Sequence, residues 1–251
     1  MTSISGKTAI VTGGGRDIGR AICVRLGSEG ANVVVNYAHD ESGAAATVKD
    51  VEAAGGKAIA VKADVTKAAD VKALVKAATD AYGDDIAVLV NNAGGLVARK
   101  SLAEMDDEFF DHVMRLNVTS TFMVTQAVAP HMKEGAAIVN LASLAGRDGG
   151  GPGAAAYSTA KGAVMTFTRA MAKELGPKGI RVNSLCPGMI ATSFHDTFTK
   201  DEVRTNVANS TPLRRQGDAK EIGDAVAYLA SEKASFITGA NLDINGGLAF
   251  S

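Results

Sequence analysis

Short apolar runs without polar alternation recur along this chain at residues 8–11, 33–35, 58–61, 86–90, 138–141 and 180–185, with a further candidate at 241–244. A strand with one solvated face alternates apolar with polar residues, whereas unbroken runs suit strands covered on both faces, as in a parallel sheet. The stretches at 18–26, 71–81, 109–128 and 154–175 carry apolar residues at helical spacing. Each is long enough to return the chain to the same edge of a sheet. Glycines punctuate the pattern: Gly30 after the first helix, Gly55 and Gly56 after the second, Gly83 after the third, and Gly176, Pro177 and Gly179 ahead of the run at 180. The order predicts an α/β fold, a doubly wound seven-stranded parallel sheet with helices on both faces.

Residues 189–213 break this rhythm, mixing Phe194, His195, Phe198 and several threonines before Pro212. Long irregular excursions in compact domains are usually lids, so a lid over a substrate is expected here. The 251 residues are 46% apolar, and no composition shift marks a linker, which predicts one domain over residues 1–251. Lys and Arg total 26 against 27 Asp and Glu. That balance leaves no single-sign field to draw nucleic acid or an anionic membrane, and it favours a small-molecule substrate. The only cysteines, Cys23 and Cys186, fall in apolar or strand-like stretches, so neither a disulfide nor a metal site is expected. His39, His112, His131 and His195 have no partner at metal or triad spacing, and only His195, in the lid, is a candidate for the site. No apolar stretch approaches about 18 residues and no basic leader opens the chain, so a cytoplasmic protein is expected.

Residues 12–19 read Thr-Gly-Gly-Gly-Arg-Asp-Ile-Gly and join the first strand to the first helix. Free backbone N–H groups and the helix dipole favour a pyrophosphate there, although the same glycines suit any tight strand-to-helix turn. Tyr157 and Lys161 are four residues apart, on one face of a helix. A phenol titrates near about 10, so it exchanges a proton readily at neutral pH only beside a positive charge, which Lys161 provides.

Taken in order, Asp64, Asn91-Asn92-Ala93-Gly94, Asn117, Ser143, Tyr157-Ser158-Thr159-Ala160-Lys161 and Pro187-Gly188 resemble the short-chain dehydrogenase/reductase family over essentially the whole chain, especially its 3-oxoacyl-carrier-protein reductase branch. The resemblance implies a Rossmann fold and hydride transfer between NAD(P)H and a carbonyl or secondary alcohol. It implies that Tyr157 exchanges the proton, Ser143 holds the substrate oxygen, Asn117 anchors a water of the proton relay, and Lys161 supports Tyr157 while holding the nicotinamide ribose. Cofactor contacts are implied for Gly13, Gly15, Arg16, Asp17, Ile18, Gly19, Asn36, Tyr37, Asp64, Val65, Asn91, Ala93, Gly94, Tyr157, Lys161, Pro187, Gly188, Ile190 and Thr192. A homotetramer is implied too, with interfaces on the helices at 107–132 and 154–175 and on the C-terminal segment.

The chain departs from the family's glycine pattern at Asp17, where a glycine normally lets the backbone approach the pyrophosphate. Gly14 and Gly15 loosen the loop ahead of it, and an acidic side chain is favoured at the cap or first turn of the following helix. At the ribose 2′ end, the second strand ends in Asn36 and Tyr37 rather than Asp, which with Arg16 favours NADP(H); Asp40 and Glu41 pull toward NAD(H). Substrate-determining groups lie in loops. Arg147 between Leu144 and Ala155, Arg99 and Lys100 after Asn91, and Phe194 and His195 in the lid point to a small polar, sugar-derived or carboxylate-bearing keto compound. A 3-oxoacyl-carrier-protein reductase is the alternative enzyme, and a silent cofactor-binding sensor or structural subunit, motivated by Asp17 alone, is the alternative of another class.

Overall fold

The computed structural model describes residues 4–250, apart from the side chains of Phe194 and His195. Seven strands form one parallel sheet: β1 (Thr8–Val11), β2 (Asn32–Tyr37), β3 (Lys57–Lys62), β4 (Ile86–Asn91), β5 (Ala137–Leu141), β6 (Arg181–Pro187) and β7 (Asn241–Ile244). Their spatial order is β3-β2-β1-β4-β5-β6-β7. The chain runs outward from β1 to β3, then crosses back to pair β4 with the free side of β1, in register Ala9 with Val88 and Val11 with Val90. That reversal opens a crevice beyond the carboxyl ends of β1 and β4, where open α/β sheets bind ligands.

Burial on both faces explains the unbroken apolar runs. Ala9, Val11, Val33, Val35, Val88, Val90, Val139 and Leu185 face one core, covered by α1 (Asp17–Ser28), α2 (Glu41–Ala53) and, later in the chain, Ile222 and Val226 of the last long helix. Ile10, Val34, Leu89, Ile138 and Val182 face the other, covered by α3 (Ala68–Tyr82) and the helices around Val128 and Ala172. Neighbouring residues of one strand thus serve different cores, a consequence of the two-residue period.

The predicted helix at 109–128 is continuous but not uniform. α4 (Asp107–Met114) passes through a π-helical turn, Arg115–Thr119, into α5 (Ser120–Val128). After β5 come the short α6 (Ala145–Asp148) and the long α7 (Ala155–Leu175). The segment at 189–213, expected to be irregular, instead carries α8 (Ser193–Phe198) and α9 (Asp201–Ser210). Few of its side chains are buried, so no apolar stripe announced these helices in the sequence. α10 (Ala219–Ala230) follows, opened by a capping box of Asp218 and Glu221. Its C-terminal carbonyls meet the buried Arg181, which donates to Leu229 O at 2.6 Å and Ser231 O at 3.1 Å.

Candidate active site

The strand-to-helix turn after β1 is wired from three sides. Thr12 Oγ1 accepts from Asn92 N and Ala93 N, both at 3.0 Å, and Asn92 Nδ2 donates to Thr12 O and Gly13 O at 3.0 Å. Asn36 Oδ1 accepts from Gly13 N at 3.2 Å, and Asn36 O from Gly14 N at 2.8 Å. Gly19 lies so close beneath this turn that a Cβ there would stand 2.0 Å from Gly13 O. The first helix is thereby pressed against the turn. Asp17 opens α1 with φ +50°, a left-handed value that glycine adopts freely and aspartate only at a cost. It sits in the first turn, as acidic residues prefer, but does not cap the helix, whose N-cap is Arg16.

Across the crevice, α7 brings Tyr157 and Lys161 to the carboxyl end of β5. Lys161 is buried; its Nζ donates to Leu141 O at 2.6 Å and stands 5.6 Å from the centroid of the Tyr157 ring. The Tyr157 hydroxyl is hydrogen-bonded to Ser143, whose own Oγ accepts from Ala145 N at 3.1 Å. Burial raises the Tyr157 phenol above its ordinary value, partly offset by the Ser143 bond, and burial lowers Lys161 to about 8. A protonated phenol, a second hydroxyl and a buried amine beside one cleft can hold a carbonyl oxygen and hand it a proton.

One cleft of about 760 Å³ joins the two banks. Its wall includes, from the predicted residues, Gly13, Gly15, Arg16, Asp17, Ile18, Gly19, Tyr37, Ala93, Gly94, Ser143, Tyr157, Lys161, Pro187, Gly188, Ile190 and Thr192. The glycine-rich cradle, too tight at Gly19 for any Cβ, and the buried amine beside it fit a dinucleotide cofactor.

Other predicted residues lie elsewhere. Arg147 is not in the cleft wall: its guanidinium donates to Asp243 Oδ1 and Asn241 O, both at 2.6 Å, and is committed to β7. Asn91 is buried beside α5, donating to Thr125 Oγ1 at 3.0 Å and Asn140 Oδ1 at 2.9 Å, and its own Oδ1 is an unpaired buried acceptor. Asn36 is buried and shapes the turn after β1 rather than facing the cleft. Asp64 is turned to the start of α3, where Oδ1 accepts from Thr66 N at 3.0 Å and Oγ1 at 2.6 Å, bonds that lower its pKa; the neighbouring Val65 is buried, and neither lines the cleft. Asn117 stands behind the wall, in the π-helical turn, a local irregularity frequent at functional sites. Its Oδ1 accepts from Gly95 N at 3.0 Å and its Nδ2 donates to Gly95 O and Val113 O at 2.9 Å, which fixes the loop after β4. The substrate contacts expected of Phe194 and His195 involve side chains outside the described residues.

The sequence reading missed Asn92 and His39 on the wall, which also includes Asp40, weighed above for its pull toward NAD(H). A signal for the first existed: two-residue alternation from Leu89 carries Asn91 to the α5 face, leaving Asn92 as the first residue free to turn toward β1. Asp40 lines the cleft, but its Oδ1 caps α2, accepting from Gly43 N at 2.8 Å and Ser42 Oγ at 3.0 Å. Among the described residues no group of three or more His, Cys, Asp or Glu could hold a metal ion, and no helix is long and apolar enough to cross a membrane.

A family model described as Enoyl-(Acyl carrier protein) reductase matches residues 13–249. An oxidoreductase of Methylorubrum extorquens is 39% identical over 250 residues, covering 99% of this chain and 100% of its own length. A 3-oxoacyl-acyl-carrier-protein reductase of Staphylococcus epidermidis is 38% identical, with 96% and 98% covered, and a glucose 1-dehydrogenase of Bacillus subtilis is 39% identical, with 98% and 95% covered. Among solved structures, a short-chain dehydrogenase/reductase of Serratia marcescens superposes with TM-score 0.92 at 37% identity, covering 98% of this chain and 99% of its own. A metagenomic blue fluorescent protein in complex with NADPH gives 0.91 at 34%, with 98% and 99% covered. An NADH-dependent reductase responsible for alginate metabolism gives 0.90 at 35%, with 99% of each chain covered.

Proposed function

The chain belongs to the short-chain dehydrogenase/reductase family and is an NAD(P)-dependent oxidoreductase acting between a carbonyl and an alcohol; from that premise we propose that Tyr157, Ser143 and Lys161 carry the reaction on a small polar or sugar-derived keto compound. The observation that carries this reading is the buried Lys161 amine under the Tyr157 ring, with the Tyr157 hydroxyl bonded to Ser143, on the wall that also contains the glycine-rich turn. The bound nicotinamide supplies or accepts the hydride. Tyr157 gives its proton to the carbonyl oxygen in reduction and recovers it in oxidation, while Ser143 holds that oxygen. Lys161 favours the phenolate left behind and binds the ribose hydroxyls. Asn117 serves from behind, keeping Gly94 and Gly95 in place: a Cβ on Gly94 would stand 2.5 Å from Asn117 Oδ1 and 3.3 Å from Lys161 Nζ. Gly13, Gly15, Arg16, Ile18 and Gly19 hold the pyrophosphate side, with Ala93, Pro187, Gly188, Ile190 and Thr192 along the nicotinamide side.

NADP(H) is the preferred cofactor in this reading. Arg16 is largely exposed on the cleft wall with Tyr37 and His39, able to meet a 2′-phosphate. Asp40, the carboxylate that would select a ribose hydroxyl, is already engaged in capping α2. NAD(H) is the alternative cofactor, as in the alginate-metabolism relative.

Beside Tyr157 and the glycine-rich turn, the cleft wall includes Leu96, Leu144, Phe198 and Leu248, with the charged Arg99 and Asp148. Arg99, rather than Arg147, is the cation that suits a polar or anionic substrate, and the Bacillus glucose 1-dehydrogenase favours a sugar-derived one. The apolar wall and the Staphylococcus relative favour the second reading, a 3-oxoacyl-carrier-protein reductase. The intact Ser143, Tyr157 and Lys161 on the cleft wall disfavour the silent-sensor alternative. The segment at 189–213 serves as the lid, the free buried cysteines suit a reducing cytoplasm, and the chain works as a homotetramer. Mixing the protein with NADPH or NADH and a panel of keto acids, sugar-derived aldehydes, diketones and acetoacetyl thioesters tests the reading. Faster NADPH consumption with a small keto compound is expected; preference for the thioester moves the assignment to the second reading, and no turnover on any member contradicts both.

A further inference from the structure

A short helix on the cleft wall, α8, is fastened at both ends by charged side chains from elsewhere in the chain. α8 begins at Ser193, whose N–H donates to Asp17 Oδ1 at 3.1 Å and whose hydroxyl donates to Asp17 Oδ2 at 2.5 Å. It ends at Phe198, whose carbonyl accepts from Arg99 Nε at 3.3 Å, while Arg99 Nη1 donates to Pro152 O at 2.9 Å. The signs are those a helix prefers, a carboxylate at its N-terminus and a guanidinium at its C-terminus, although neither residue is part of it. Ser193, Thr197 and Phe198 all line the cleft, so whatever fixes α8 fixes part of the wall.

Backbone conformation marks the same places. Three described residues other than glycine have positive φ: Asp17 at +50°, Val97 at +67° and Arg214 at +56°. Asp17 is one fastening, Val97 lies two residues before the other, and Arg214 follows the segment that α8 and α9 occupy. Unfavourable backbone retained at Asp17, one of the two fastenings, is a reason to look for a function there. α9 is tied to the same unit: Arg204 pairs with Asp196 of α8 at 2.5 Å and donates to Gln216 Oε1 at 3.1 Å.

We propose that Asp17 and Arg99 are positioning residues that hold α8 across the cleft, so that the residue interrupting the glycine-rich pattern belongs to the substrate side of the reaction as well as the cofactor side. The carboxylate at Asp17 links the turn after β1 to the segment after β6, two chain regions 176 positions apart. A change at the cofactor turn is thereby felt at the substrate wall. This rests on the reading of 189–213 as the lid of a reductase, but its first test does not depend on turnover.

Hydrogen–deuterium exchange of the full chain without cofactor, read by peptide for α8 and α10, supplies that test. Asp17→Gly and Arg99→Met are each expected to raise exchange across α8 at least about fivefold while leaving α10 as it was, because each removes a charge-assisted attachment of a short surface element. Ser193→Ala leaves the glycine-rich turn intact and removes one of the two bonds, so a smaller rise is expected, and Asp17→Gly with Ser193→Ala together should exceed Asp17→Gly alone by little. Unchanged exchange in α8, or a rise shared equally by α10, overturns the proposal. On a substrate that the intact chain reduces, Asp17→Gly should raise KM by a larger factor than it lowers kcat, and the reverse split counts against it. No turnover in the intact chain sinks the reductase reading and leaves the exchange result to decide the attachment by itself.

Discussion

Lys161 sets the pH behaviour expected of the site. Burial lowers its pKa to about 8 and raises that of Tyr157, so near neutrality the amine is charged and the phenol protonated, the combination reduction needs. kcat/KM for the cofactor reports groups of the free enzyme. Its value in the reductive direction is therefore expected to be level below about pH 8 and to fall as Lys161 loses its proton above it. A profile still level at high pH removes Lys161 from cofactor capture. The linked stability has the opposite sign: the unfolded lysine titrates near about 10.4, so between the two values the unfolded chain binds more protons and stability rises with pH. Residue type and spacing made the Tyr157–Lys161 pair legible in the sequence, and the family resemblance implied Ser143. The partner of Asp17 was not, because Ser193 is distant in sequence and no local pattern encodes a tertiary hydrogen bond.

At the scale of elements, Arg147 belongs to the packing of α6 on β7. Its side chain and that of Asp243 are 17% and 15% exposed, well sheltered from screening. Arg147→Met strands the Asp243 carboxylate and the Asn241 carbonyl, so a loss of about 2–4 kcal/mol in unfolding free energy is expected by denaturant titration. KM for an anionic substrate should stay within about twofold, because the residue does not line the cleft. A large rise in KM without loss of stability would return Arg147 to the substrate. Strand runs and helix spacing were readable because two-sided burial imposes them on the sequence. Which side of a strand end faces the cleft was readable only by counting alternation, which moves Asn91 and Asn36 inward and leaves Asn92 and His39 at the crevice. The π-helical turn at Asn117 left no mark on the apolar pattern, since one widened turn barely disturbs the helical face.

For the whole molecule, a doubly wound parallel sheet followed from the repeated β-α alternation, whereas the order β3-β2-β1-β4-β5-β6-β7 with its reversal at β1 is a finding of the structure. The helices within residues 189–213 escaped the reading because they bury little of themselves. Large apolar side chains remain exposed on the described chain: Leu102 and Phe250 at 90% and 88%, with Phe122, Phe236 and Leu242 on α5 and around the C-terminal strand. Self-association over such surface is the expected remedy, and light scattering should return four times the 25.6 kDa chain mass; a monomer mass contradicts the tetramer. The central claim, that Tyr157 carries the proton in a nicotinamide-dependent reduction, is tested most directly by Tyr157→Phe. NADPH bound to this variant should be detectable by cofactor fluorescence at an affinity within about threefold of the parent chain, while turnover on the best carbonyl of the panel falls by at least about 10³-fold, consistent with loss of general acid catalysis together with the geometry it organises. Retained turnover in Tyr157→Phe with normal cofactor binding would contradict the account.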